Sequence, residues 1–378
     1  MTTELQNLDL DRPLKHEALR DALKRAIESG ELKEEEKIAS QNEMCRLYGV
    51  SHHTVREAVS SLVSEGYLSR SQGKGAFVNK LKTRRMVIGT MLPHGREMVS
   101  VNQPLGYDVI AAYVYYLEDE LRRTDASMML FLAQDDPQIE VENVNHLMGH
   151  GVDGIIAYQT GSLEGQQELK QASDSGIPVV LIDRHSDRYE FDYVVTDNYE
   201  GSCDMIKELV SRGCRKVGYY ANLNFPNTTA DTRFQAYNDT LTELGMLDES
   251  IIYRYIENRE QGASDDVISN IKSFLQTPDC GLFFDSMLQA NEVFQLLGEN
   301  FKPGNRVYLA AFDEGILDVN FDHLLVQALQ PLSELAAASV KILTSKIAGD
   351  MQKYEIKLKP RLRIVSTEPP SGSANLFN

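Results

Sequence analysis

The stretch VSHHTVREAVSSLVSEGYLSRSQGKGAFV (50–78) decides how the first part of this chain folds. Val55, Ala58, Val59, Leu62 and Val63 recur at i, i+3, i+4, i+7 and i+8, the spacing of one apolar helical face. His53, Arg56, Glu57 and Ser60 fall on the opposite face, with His52 in the first turn. Ser51 stands where an N-cap is needed, and Gly66 where the helix must stop. After it, YLSRS and AFV read as short strands joined by Gln72, Gly73, Lys74 and Gly75. A phosphate loop of the Walker kind needs G-x-x-x-x-G-K-[ST] between a strand and a helix. Here a Gly-Lys-Gly joins two strands, so it is read as the tip of a hairpin.

Upstream, the spacing of Leu19, Leu23, Ala26 and Ile27 predicts a helix over 14–29. Ser40-Gln41-Asn42-Glu43 fits S-x-x-E, in which serine and glutamate satisfy each other's free amides, so a second helix starts there. Met44 and Leu47 are taken as its apolar positions, and Gly49 supplies the turn. Helix, helix, turn, helix, hairpin is a small α+β winged helix-turn-helix, assigned to 1–78. The basic, non-periodic NKLKTRR (79–85) reads as a linker. Beyond it the pattern alternates between strand and helix. Strands are expected at 86–92, 127–133, 153–158, 178–183, 193–197, 216–220, 251–256, 280–285 and 307–312, with helices between most of them. Such alternation over 86–378 predicts parallel sheets wrapped by helices, in a length sufficient for two lobes.

Charge separates the same two parts. The whole chain carries −18, yet residues 41–85 hold eight basic and three acidic side chains, a local +5. Residues 86–378 carry −20. A basic island in an acidic chain suggests two jobs. No apolar run approaches the ~20 residues of a membrane span, and the polar, acidic start MTTELQNLDLDRP lacks the pattern of a secretory signal. A cytoplasmic protein without a membrane partner is expected. The four cysteines form no C-x-x-C pair and no histidine cluster flanks them, which favours scattered thiols over a metal site or disulfide framework. No cofactor is expected.

Two resemblances follow from these residues. Gly49-Val50-Ser51, Thr54-Val55-Arg56-Glu57-Ala58, Glu65-Gly66-Tyr67-Leu68 and Gln72 to Val78 resemble the GntR-type winged helix-turn-helix. The chain departs from the usual pattern at Ala39-Ser40-Gln41, Asn42 and His52, so its operator cannot be borrowed from relatives. Residues 86–378 resemble the LacI-type effector domain, of the periplasmic sugar-binding (type I) fold, through GVDGIIAY, GIPVVLIDR, VVTDNYEGSCDMIKELVSRGCRKVGYY, TRFQAYNDTLTELG, CGLFFDSMLQANEVFQLL, VYLAAFDE, LLVQALQPLSELAAASVKIL and a closing RLRIVST. The pairing is similar to the arabinose-responsive repressors of bacteria.

The resemblance implies the sites. On the head, Ser40, Ser51, His52, His53, Thr54, Arg56 and the wing residues Gln72, Gly73, Lys74 and Gly75 are expected to meet double-stranded operator DNA. The third helix would enter the major groove, where Arg56 is suited to fork onto guanine or a phosphate. His52 and His53 are either operator contacts or a solvated first turn, and Thr54 either a phosphate contact or a local cap. In the body, Asp183, Arg184, Arg233, Asp285 and Asp313 are the expected contacts of a small carbohydrate effector, each alternatively an ordinary ion-pair residue. His94 and Gln103 are weaker candidates. Phe284 either stacks on a sugar or is core.

The functional expectation is a homodimeric, sugar-released repressor of sugar-utilisation genes, with ligand-strengthened DNA binding as the alternative sign. An enzyme fused to the head would need a catalytic domain with a Schiff-base lysine or a nucleophile motif such as G-x-S-x-G, which the body does not show. A transport receptor fits neither the head nor the missing signal peptide.

Overall fold

The computed structural model describes residues 15–71, 75–79, 85–93, 109–133, 136–223, 228–256, 264–317 and 319–366. The chain divides into two compact units, Met1–Arg85 and Met86–Asn378.

The first unit contains helices α1 (Lys15–Glu28), α2 (Gln41–Tyr48) and α3 (His52–Ser64), then the antiparallel strands β1 (Leu68–Ser71) and β2 (Gly75–Val78). Leu19, Leu23, Ile27, Met44, Val55, Val59, Leu62, Leu68 and Val78 form one core between them. Ser40 caps α2 through the full reciprocal box with Glu43, and Gly49 closes that helix in the left-handed region at φ 64°. Two expectations change. Leu47 is 51% exposed, and the inward positions of α2 are Met44, Cys45 and Tyr48. Asn79, assigned to the linker, belongs to the head: its amide nitrogen donates to Tyr67 O and its side chain to Gly66 O.

The second unit holds two six-stranded sheets. The first has the order β13-β7-β6-β5-β3-β4, from β3 (Met86–Leu92), β4 (Ala126–Leu132), β5 (Gly154–Ala157), β6 (Val179–Ile182), β7 (Asp192–Thr196) and β13 (Glu355–Leu358), all parallel. The second has the order β14-β12-β11-β10-β8-β9, from β8 (Lys216–Leu223), β9 (Ile252–Ile256), β10 (Cys280–Phe284), β11 (Val307–Phe312), β12 (His323–Leu329) and β14 (Arg361–Ser366). Only β14 runs antiparallel there. Helices cover both sheets, so the central strands GIIA, VVLI, CGLFF and VYLAAF are buried along their whole length.

The helices are α4 (Val109–Arg123), α5 (Pro137–Gly149), α6 (Leu163–Asp174), α7 (Asn198–Ser211), α8 (Thr228–Glu243), α9 (Asp265–Phe274), α10 (Met287–Leu297) and α11 (Leu332–Ile347). Leu332, Leu335, Ala336 and Val340 of α11 pack with Ile88, Val180 and Ile182 of the first sheet. Met205, Ile206 and Leu209 of α7 pack with Val217 and Phe283 of the second. The chain therefore crosses between lobes three times, from β7 to α7, from β12 to α11 and from β13 to β14. These crossings are the covalent links between the two lobes among the described residues, and we refer to them as the hinge.

Candidate effector site and DNA-reading head

Asp183 follows β6, Asp285 follows β10 and Asp313 follows β11, so all three stand at the carboxyl ends of parallel strands, where open α/β sheets hold ligands. Asp183 and Asp313 adopt φ of 69° and 75°. Aspartate tolerates the left-handed region better than most residues but still at a cost, and such geometry concentrates at ligand clamps.

Arg233, on α8, is 4% exposed. Its Nε donates to Asn198 Oδ1 at 2.8 Å, and its Nη1 to the Asp285 carbonyl at 2.5 Å and Asp285 Oδ2 at 3.4 Å. The guanidinium lies 3.7 Å from the centroid of the Phe312 ring. Asp285 Oδ1 is buried and finds no donor among the described residues, as does Gln159 Oε1. An unpaired buried carboxylate oxygen is costly, so this site is incompletely satisfied by the protein alone.

Asp313 accepts from Gln330 Nε2 at 2.6 Å. Burial pushes its carboxyl up to about 6, against the opposing pull of Arg233 and the Gln330 hydrogen bond, with Asp183 and Asp285 adding to the rise. Asp183 accepts from the buried Tyr113 hydroxyl at 3.1 Å. Burial, with Asp183 beside it, holds the Tyr113 and Tyr158 phenols firmly protonated. Arg184 lies over the Tyr158 ring, 4.9 Å from its centroid, and donates to the carbonyls of Gln159 and Thr160. The five expected residues are thus brought into one electrostatic cluster at the strand ends.

Phe284 packs between Tyr220 and Phe294 in the core and does not face this cluster; the aromatic beneath Arg233 is Phe312. His94 and Gln103 lie outside the described residues. A small recess borders the first crossing, lined by His185, Thr196, Asn198, Thr228 and Lys357 among others, and the five charged residues are not in its wall. Thr228 and Thr229 close its side by donating to the carbonyls of His185 and Asp183 across the lobes.

Several supporting residues carry no sequence signal of their own. Glu140 is buried on α5 and accepts from Thr160 N at 2.9 Å, Thr160 Oγ1 at 2.5 Å and Ser162 Oγ at 2.8 Å. Burial raises its carboxyl, and those hydrogen bonds oppose the rise. It fixes the loop that Arg184 binds. Asn198 and Gln330 sit in crossings, which a linear reading treats as connections.

On the head, Ser51 Oγ accepts from Thr54 N at 3.1 Å and pairs with Thr54 Oγ1 at 2.9 Å, so the Thr54 hydroxyl is engaged in the cap. Ser40 likewise caps α2. His52, His53 and Arg56 are exposed on one side of α3. Arg70 on β1 donates to Ser60 on that helix at 2.7 Å and adds a cation beside them. Gln72, Gly73 and Lys74 lie outside the described residues. Gly75 has φ 112°, and a Cβ there would lie 2.9 Å from Lys37 Cε, so a second lysine, unforeseen from the sequence, stands over the base of the wing. Among the described residues no group of three or more His, Cys, Asp or Glu side chains is arranged to hold a metal, and no helix is long and apolar enough to cross a membrane.

A winged helix-turn-helix followed by a two-lobed α/β domain of the periplasmic-binding-protein type is the class that this architecture defines. The family "Bacterial regulatory proteins, gntR family" matches residues 15–78, and "Periplasmic binding protein domain" matches 114–300. The chain is 26% identical to the arabinose metabolism transcriptional repressor of Geobacillus stearothermophilus over 50% of this chain and 52% of that one. It spans about half the length of the arabinose-metabolism repressors it matches. Its fold is similar to a periplasmic binding protein/LacI transcriptional regulator from Alkaliphilus metalliredigens complexed with D-xylulofuranose, at a TM-score of 0.58 and 19% identity over 75% of this chain and 99% of that one. It is similar also to the Cra transcriptional dual regulator of Pseudomonas putida in complex with fructose 1-phosphate, at a TM-score of 0.56 and 19% identity over 73% and 97%.

Proposed function

We propose that this protein is a cytoplasmic, sequence-specific transcriptional regulator without enzymatic activity, a repressor of sugar-utilisation genes that a neutral sugar releases from its operator. The head (1–78) binds double-stranded DNA through the tip of α3 and the wing, with Ser51, His52, His53 and Arg56 at the groove, Ser40 and Thr54 at the helix starts, and Gln72, Gly73, Lys74 and Gly75 on the hairpin. Beyond Asn79, residues 80–85 link it to the body (86–378), which binds the effector through Asp183, Arg184, Arg233, Asp285 and Asp313.

The observation that carries this reading is the buried Arg233–Asp285 pair with its unpaired Asp285 oxygen, beside the half-buried Asp313. Sugar hydroxyls are the donors that would complete it. Three carboxylates against two guanidinium groups oppose a phosphate, which separates the expected ligand from the sugar phosphate held by the Pseudomonas neighbour. A homodimer would set two heads on two half-sites. In its favour, the edge strand β4 exposes Leu130 and carries neither lysine nor proline, and Tyr115 on the neighbouring α4 is 66% exposed; such an edge is ordinarily covered.

A thermal-shift panel of neutral pentoses, hexoses and their phosphates on the full chain tests the reading. At least one neutral sugar should raise the melting temperature by several degrees. Stabilisation by sugar phosphates alone would overturn the assignment of ligand class, and stabilisation by no sugar would overturn the effector role.

A further inference from the structure

Gln330 stands between β12 and α11, in the second crossing, and both ends of its side chain are in use. Nε2 donates to Asp313 Oδ1 at 2.6 Å, and Oε1 accepts from Thr196 Oγ1 at 2.6 Å. Thr196 is the last residue of β7, at the first crossing, and is 1% exposed. The hydrogen bonds continue from there. Asn198 Nδ2 donates to Thr196 O at 3.0 Å, and Asn198 Oδ1 accepts from Arg233 Nε. A chain of contacts therefore runs from Asp313 through both crossings to Arg233.

The loop around Asp313 is anchored independently of Gln330. Asp313 N donates to Ala328 O at 3.0 Å, Gln327 Nε2 donates to Gly315 O at 2.9 Å, and Arg363 holds both Gln327 and Glu314. Deleting the Gln330 amide would thus leave the loop in place and cut the connection between carboxylate and hinge. A primary amide is planar and rigid, so Nε2 cannot follow a displaced carboxylate without moving Oε1 away from Thr196.

We propose that Gln330 is a positioning residue that couples the Asp313 carboxylate to the hinge, so that a change in what Asp313 holds is felt at the Thr196 crossing. The coupling deepens the effector reading and takes its biological meaning from it, since hydroxyls arriving at Asp313 are the change it would transmit. Coupling needs an element that both sites bias, and the crossing between the lobes is that element.

Hydrogen exchange of the full chain, with no sugar added, tests the connection. Asp313→Gly removes the carboxylate while tolerating the left-handed backbone. It should change exchange in peptides covering 193–201 by about threefold or more, the scale of coupling within one hydrogen-bonded network. In a Gln330→Leu background the same substitution should leave those peptides within experimental error of Gln330→Leu alone. Thr196→Val cuts the link from the other end and should abolish the response equally, which keeps the test open should Gln330→Leu not fold. A merely structural Gln330 would raise exchange along α11 and β12 yet leave the Asp313→Gly response intact. That outcome, or no response at 193–201 in the parent protein, overturns the proposal. Both are read without ligand, so a failed sugar panel and a failed coupling test are separate results.

Discussion

Arg233 spends a charge at 4% exposure, and its cost is offset by Asn198, Asp285 and the face of Phe312. Arg233→Ala would leave Asp285 buried and unpaired, a loss of roughly 3–5 kcal/mol on removal of one partner of a buried pair. We expect urea unfolding to show that loss and the sugar-induced thermal shift to vanish; a wild-type shift in this variant would remove Arg233 from the site. Asp313 has the opposite sign. Its folded value, about 6, lies above the ordinary 3.8, so the folded chain holds this proton more tightly than the unfolded one. The stabilising contribution is full below the ordinary value and is lost as pH rises through about 6. Unfolding at pH 5 and pH 7 should show Asp313→Asn gaining on the parent protein by on the order of 1 kcal/mol as pH rises. Equal pH slopes would mean that Asp313 is not buried as described. The family resemblance singled out all five charged residues, four of them just after apolar strand runs and Arg233 within a helix. Gln330, Asn198 and Glu140 were not legible, because each acts through a partner more than fifteen residues away in sequence: Asp313, Arg233 and Thr160.

At the scale of elements, local chemistry was readable where a short motif satisfies itself. The Ser40–Glu43 box needs only four residues, and Ser40→Ala should cost the head about 1 kcal/mol in thermal unfolding. An unchanged transition would show that the cap contributes nothing. The long strands were legible too, since burial on both faces makes them continuous apolar runs. Strands β13 (EIKL) and β14 (RLRIVS) escaped as elements, because each is a short sheet-edge run in which only two apolar residues alternate with charged ones, too few to mark a strand alone. The strand at 323–329 and the helix at 332–347, parted by Gln330 and Pro331, were read only as one segment of the family resemblance and not divided into elements. Leu47 failed for a related reason: spacing identifies a face, but in an eight-residue helix it leaves the edge of that face undecided. Packing between elements gives a further expectation. A Cβ on Gly165 would lie 1.9 Å from Glu140 Oε2. Gly165→Ala should therefore displace Glu140, destabilise the body by roughly 1–3 kcal/mol and loosen the loop that holds Arg184. Full stability in urea unfolding would contradict that packing.

For the molecule as a whole, charge divides the chain. The basic 41–85 stretch sits in a chain of net −18, so under the proposed function the acidic body would repel a duplex and leave the head as the docking surface. Each phosphate contact made by the head's cations releases a counterion, so binding carried by these contacts should weaken steeply as salt rises. The central claim is that the cluster at the strand ends governs what the head does on DNA. Its most direct test is a fluorescence anisotropy titration of the full chain on a duplex selected by that chain from a random pool, with and without the sugar that raises its melting temperature. The account predicts sequence-selective, salt-sensitive binding whose apparent Kd rises about tenfold or more with the sugar, equivalent to about 1.4 kcal/mol of differential affinity, and no such rise for Arg233→Ala. An apparent Kd that the sugar leaves unchanged would contradict it.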